Sequence, residues 1–183
     1  MAEVAIHSHL PIDPHHKKGK EGFLDTILDR TSEMCQHLDH QTNILISISA
    51  AGFLFSASKI QHDEGGVALI IIAVASGLAT LVGLLAIHPP RFMRKQGQTE
   101  SLAYNKVISS FENAAQYESA LREASKTEES IEHQYATEIY NLAKYYYRPK
   151  KVLFHFSRTV LFVGLALALA AFLLDFGPGL LGG

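Results

Sequence analysis

Cysteine is nearly absent from this chain. Cys35 is the only one among 183 residues, so no disulfide closes within the chain, as a reducing compartment would have it. No leader is expected either: MAEVAIHSHLPIDPHHKKGK (1–20) has no apolar centre, so the first apolar run is expected to direct membrane insertion. Catalytic signatures are lacking as well. No G-x-x-x-x-G-K-[ST], G-x-G-x-x-G, H-E-x-x-H or G-x-S-x-G occurs, and Cys35 has no catalytic neighbours in sequence. His37, Asp39 and His40 offer metal donors, but that spacing arises by chance in a chain with 10 histidines. We therefore expect no catalytic residue, no metal and no cofactor, and a hydrolytic enzyme is disfavoured. A charge imbalance is also absent: the net charge of -2 and hydrophobic fraction of 48% leave nothing in bulk composition to mark a membrane protein.

What is present is local. VALIIIAVASGLATLVGLLAI, from Val67 to Ile87, is uncharged. At about 1.5 Å per residue it is about 31 Å long as a helix, the thickness of a bilayer's hydrocarbon core. NILISISAAGFLFSAS, from Asn43 to Ser58, is shorter and carries four serines. By itself it fits a buried core helix, but the tight QHDEGG connector (61–66) favours a membrane hairpin over a soluble one. A third run, TVLFVGLALALAAFLL (159–174), extends back toward Val152 if His155 and Arg158 snorkel. The expected fold is all-α: a three-span transmembrane helical protein with a small cytoplasmic helical bundle, oligomeric around a symmetry axis.

Basic residues orient the spans. Lys17, Lys18, Lys20 and Arg30 precede the first; Arg91, Arg94 and Lys95 follow the second; Lys144, Arg148, Lys150 and Lys151 precede the third. The positive-inside rule then puts the N-terminus in the cytoplasm and the C-terminus outside, across a bacterial inner membrane. The predicted divisions are a flexible arm (1–20), a helix leading into the first span (21–42), the spans 43–60, 67–87 and 152–175, an external loop (61–66), a cytoplasmic helical sensor region (88–151) and an external tail (176–183). Within 88–151, helices are predicted near 100–111, 117–124 and 128–147. Pro149 is expected to make a kink or short break, either a hinge or a fixed bend.

On a helical wheel the first span has two small or polar faces. Asn43, Ser47, Ala51 and Ser58 share one, and Ser49, Gly52 and Ser56 the other. One face packs in its own chain; the other meets symmetry mates or a wet lumen, for which we assign Asn43, Ser47, Ala51, Leu54 and Ser58 as lining. The alternative, that the hydroxyls bond back to their own helix and merely aid packing, stands beside it. The second span offers Ala73, Ser76, Thr80 and Gly83 as a further packing stripe.

Cations suit phosphates and aromatic faces suit bases, so Arg91, Arg94, Lys95, Lys106, Lys144, Arg148 and Tyr145 are candidate ligand-binding residues. Basic and tyrosine residues also gather at the membrane surface for anchoring alone, to which membrane lipid is the partner. LDHQTNILISISAAGFLFS, the pair Pro90 and Arg91, and HQYATEIYNLAKYYYRPKKVLFHFSRTVLFVGL together resemble the membrane effectors of bacterial Pycsar antiphage defence, over Leu38 to Leu174. In that family an Asp-x-Lys marks the first span; Asp39 matches, whereas Gln41 stands at the lysine position and Pro149 interrupts a proline-free stretch. Related systems such as Hailong are similar in placing a small membrane effector under a nucleotidyltransferase's product. The resemblance implies an effector that disrupts the inner membrane, gated by a nucleotide second messenger or a single-stranded oligonucleotide; since three helices enclose no conduit alone, we expect an ion channel or pore formed by a homo-oligomer, tetramer preferred. A partner cyclase or nucleotidyltransferase would supply that signal. The competing class is a membrane-anchored adaptor whose cytoplasmic bundle docks a protein partner.

Overall fold

A computed structural model describes residues 14–62, 66–93, 100–103 and 105–180. Every regular element among them is helical: α1 (Pro14–Gln61), α2 (Val67–Ile87), α3 (Asn105–Ile108), α4 (Ala114–Ala124), α5 (Glu128–Asn141) and α6 (Arg148–Leu180). A 3-10 turn lies at Arg91–Met93 and a π-helical turn at Leu142–Tyr147. Three helical segments are long and apolar enough to cross a membrane, within Gly22–Gln61, Val67–Ile87 and Glu128–Asp175.

Helix ends follow local chemistry. α1 begins at Pro14, where a missing N–H leaves no helical bond unmade and φ is preset. It therefore takes up residues 14–20 of the segment that composition marks as an arm; residues 1–13 lie outside the described residues. α2 ends where Pro89 and Pro90 follow, with His88 at φ -123 and ψ 79, the non-helical backbone that a following proline imposes. Asn113 caps α4 by accepting from the Gln116 N–H at 3.0 Å. Thr127 does the same for the Ser130 N–H at 3.2 Å, ahead of Glu128 and Glu129 in the first turn of α5.

Packing divides the chain into two units. The first comprises the chain up to Thr31 with Ser101–Ile139. Here the helix expected over 100–111 is reduced to the single turn α3. Side chains of α5 compete for its start: the Leu102 N–H donates to Gln134 Oε1 at 2.9 Å, and Ser101 Oγ donates to Glu138. Tyr117 Oη donates to the Leu102 carbonyl at 3.2 Å, and the Tyr117 ring packs on Phe111 with centroids 5.4 Å apart. Tyr135 Oη donates to Asp25 of α1 at 2.6 Å.

The second unit comprises Ser32–Glu100 and the chain from Tyr140 onward. Its buried apolar cluster joins Leu38 and Leu45 of α1, Ala79 of α2, and Phe154 and Leu161 of α6. Lipid gives apolar helices no reason to shun the solvent, so contact depends on backbones coming close. A Cβ on Gly164 would stand 2.0 Å from the Ala75 Cβ, and one on Gly83 would stand 2.7 Å from Ile46. Small residues are what let α6 and α1 seat against α2. The stripe predicted on the second span lies in these contacts: Ala73, Ser76 and Gly83 are buried, and Thr80 is half-buried. Three hydroxyls bond within the bundle, whereas the buried Ser56 Oγ has no partner among the described residues. Ser157 Oγ donates to the Ala79 carbonyl at 2.7 Å, Ser49 Oγ to Leu45 O at 2.8 Å, and Thr80 Oγ1 lies 2.9 Å from Ser49 Oγ.

Gly164→Ala should destabilise the second unit by about 1–3 kcal/mol through overpacking. Because the collision is Cβ on Cβ, Ala75→Gly in the same chain should restore much of the loss. Thermal unfolding of both singles and the double in detergent reads the coupling, and simple additivity would place the close approach elsewhere.

Candidate functional site

Proline at position 149 has no N–H to give, and in a regular helix its ring strikes the carbonyl four residues back. The preceding turn widens to accommodate it. The Arg148 N–H bonds the Ala143 carbonyl, five residues back, across the π-helical turn Leu142–Tyr147. Of the kink or short break expected at Pro149, the break does not occur: the backbone stays helical from the π turn into α6.

The turn also distributes side chains. Lys144 and Arg148 stand exposed, while Tyr145 between them is 9% exposed. The Tyr145 hydroxyl is buried and has no hydrogen-bond partner. Lys144 donates to the Tyr140 hydroxyl, with Nζ 4.6 Å from the Tyr140 ring centroid and 5.8 Å from that of Tyr145. The bond to Tyr140 raises the Lys144 pKa above the ordinary lysine value, so its charge is secure at any physiological pH. Lys144, Tyr145 and Arg148 line a cavity of about 280 Å³ with Met93, Pro149 and Val152. Of the seven residues predicted to bind a ligand, the structure brings together Lys144, Tyr145 and Arg148. Arg94 and Lys95 lie outside the described residues, and of Arg91 and Lys106 only the backbone is described, in the 3-10 turn and in α3.

One residue past Pro149, Lys150 Nζ lies 2.7 and 2.8 Å from the two Asp39 oxygens. The lysine side chain is 14% exposed and the aspartate 40%. A pair so placed falls between exposed bridges, worth ~0–1 kcal/mol, and buried ones, where losing one partner costs ~3–5 kcal/mol. The sequence reading found Asp39 and noted that position 41 is not lysine; it missed that the cation comes from α6. The available signal was depth, since Asp39 is the last acid before the first apolar run and Lys150 stands just before the third. Gln41 instead pairs with the His37 ring, Nε2 to Nε2, at 2.9 Å. His37 and Asp39 are thus engaged with separate partners, and among the described residues no three His, Cys, Asp or Glu side chains form a metal-holding group.

Along α1 the two predicted faces separate. Ser49 and Ser56 are fully buried, and Gly52 faces Ser76 of α2. Asn43, Ser47, Ala51, Leu54 and Ser58 are all exposed, forming one stripe that the chain itself leaves uncovered. Ser47 Oγ donates to the Asn43 carbonyl at 2.9 Å, so this hydroxyl is satisfied by its own helix.

Cys35 sits one turn before Asp39. Burial pushes its thiol pKa up, Lys150 opposes this, and Asp39 adds to it. Thiolate is the reactive form, so the lone cysteine reports on the pair. Asp39→Asn removes a raising neighbour and should speed maleimide labelling at a fixed pH; Lys150→Met removes a lowering one and should slow it. Changes in the same direction would contradict the placement.

A family profile described as the Pycsar effector protein domain matches residues 23–176, which takes in the three apolar helices, the π turn and the Asp39–Lys150 pair. No curated protein and no solved structure matches the chain. With three membrane-length apolar helices inside the matched region, the chain belongs to the Pycsar effector family and is a transmembrane effector of antiphage defence.

Proposed function

We propose that the chain assembles around a symmetry axis, as a tetramer by preference, into an ion channel that depolarises the bacterial inner membrane when a nucleotide-derived signal alters during infection. A partner cyclase or nucleotidyltransferase makes that signal; the Pycsar family context favours a cyclic nucleotide. The N-terminus and residues 88–151 lie in the cytoplasm and the C-terminal tail outside, following the basic flanks.

The observation that carries this reading is the uncovered stripe on α1. Asn43, Ser47, Ala51, Leu54 and Ser58 lie on the exposed face of a membrane-length helix, whereas Ser49 and Ser56 are buried on the other. The Asn43 amide facing lipid is disfavoured, so in this reading a neighbouring protomer or water meets it, while Ser47 Oγ already bonds the Asn43 carbonyl. Three helices per chain enclose no conduit alone, which makes assembly a requirement. Signal binding is assigned to Lys144, Tyr145 and Arg148, which share one cavity, and Arg91, Arg94, Lys95 and Lys106 are further candidates by their charge. Ligand binding shifts open and closed populations by differential affinity, through the helix leading into the first span and the Pro149 region.

Asn43→Leu or Ser47→Leu should abolish ion flux in vesicles with assembly intact; unchanged conductance would reject the assigned lining. Replacing Arg91 and Arg94 with Glu should weaken nucleotide association in a salt-dependent way. Equal affinity in that variant would put the site elsewhere.

A further inference from the structure

A buried hydroxyl without a partner is uncommon, because the desolvation cost is met and no bond is gained. Tyr145 is such a group, nine-tenths buried, and it lines the cavity at the start of α6. Lys144 and Arg148, spaced four apart on one helical face, stand at the same cavity, and no carboxylate pairs with either among the described residues. Two cations and an unused hydroxyl donor make a phosphate site, and the Arg148 fork suits two phosphate oxygens.

The remaining walls decide between sources of phosphate. Met93, Pro149 and Val152 are apolar, and Val152 opens the run that continues through α6 into membrane-length hydrophobic sequence. A free phosphate or sugar phosphate has nothing to place against them. A phospholipid does, since its headgroup lies at the level where a span's basic flank ends and its glycerol and first methylenes continue along the helix.

We propose that the cavity lined by Met93, Lys144, Tyr145, Arg148, Pro149 and Val152 binds the phosphate of an anionic phospholipid, with the glycerol and upper acyl portion against Met93 and Val152. Lipid binding stands on its own. Its consequence for gating rests on the function proposed above: a nucleotide using the same cations competes with the lipid, so the anionic lipid content of the membrane sets the signal level needed for a response.

The test uses the full chain, reconstituted in vesicles of mixed phosphatidylcholine and phosphatidylglycerol and released for native mass spectrometry of retained lipid. Phosphatidylglycerol should be retained over phosphatidylcholine. Lys144→Gln and Arg148→Gln should each lower that retention about fivefold, the contribution of one basic residue at an anionic surface. Tyr145→Phe, which removes a hydroxyl and no charge, should lower it similarly, whereas Lys151→Gln, an exposed neighbour outside the cavity, should leave it unchanged. Equal loss in Lys151→Gln, or no loss in Tyr145→Phe with its thermal unfolding unaltered, would reduce the effect to surface charge and overturn the site. Should Tyr145→Phe unfold, the contrast between exposed Arg148 and exposed Lys151 decides alone. Displacement of the lipid by equimolar glycerol phosphate would overturn the lipid assignment in favour of a soluble phosphate ester. None of these readouts involves ion flux, so failure here and failure of the channel reading are separable.

Discussion

Helices inside a bilayer are not pressed together by water, so whatever brings their backbones close governs the rest of the bundle. In this chain that contact is Gly164 against Ala75, with Gly83 against Ile46 further along α2. Because nothing larger than hydrogen occupies Gly164, α6 sits deep on α2, close enough for Ser157 to reach the Ala79 carbonyl. That seating fixes the height of α6 beside α1. Lys150 then meets Asp39 at the level where apolar sequence begins, and the salt bridge is a consequence of packing as much as a cause of it.

The same seating gives the π turn its importance. Pro149 must be accommodated in a helix whose middle is held by the Gly164 contact, and the turn before it is widened. A break would release α6; a π turn keeps it continuous while bringing Tyr145 inward and leaving Lys144 and Arg148 outward. Cationic side chains and apolar cavity therefore gather at the turn that Pro149 follows. Lys150, next to the proline, supplies Asp39 with a cation.

How far the sequence revealed this depends on the range of the force involved. Spans 67–87 and 159–174 were legible because length and hydropathy are local properties, and the wheel of the first span correctly separated Ser49, Gly52 and Ser56 from the exposed stripe because a helix repeats at a fixed angle. The segment 100–111 was not legible: its periodicity suits a helix, but Gln134 and Glu138, over thirty residues away, capture its first polar groups. Nor was the partner of Asp39, which lies 111 residues on. The cluster of Lys144, Tyr145 and Arg148 was visible as composition. That Tyr145 points its polarity into a buried place with no acceptor was not, since the rotation comes from a π turn that no propensity announces.

What remains to be explained by any account of this effector is the chemical difference between the two faces of α1. Hydroxyls are cheap in a membrane helix because each can bond a carbonyl one turn back, as Thr42 does to Leu38 at 2.7 Å and Ser49 to Leu45 at 2.8 Å. Serines alone would therefore argue little. Asn43 is different, for its amide has two donors and an acceptor, and the described residues supply its side chain with no bond. Leu54 interrupts the same stripe between Ala51 and Ser58 and is 66% exposed. A helix that merely anchors needs neither an amide at its mouth nor a ring of small residues below it. A lumen uses both: polar groups where ions shed water, and an apolar constriction that closes by drying. In the proposed channel, Asn43 would stand at the mouth and Leu54, further along α1, would form the constriction.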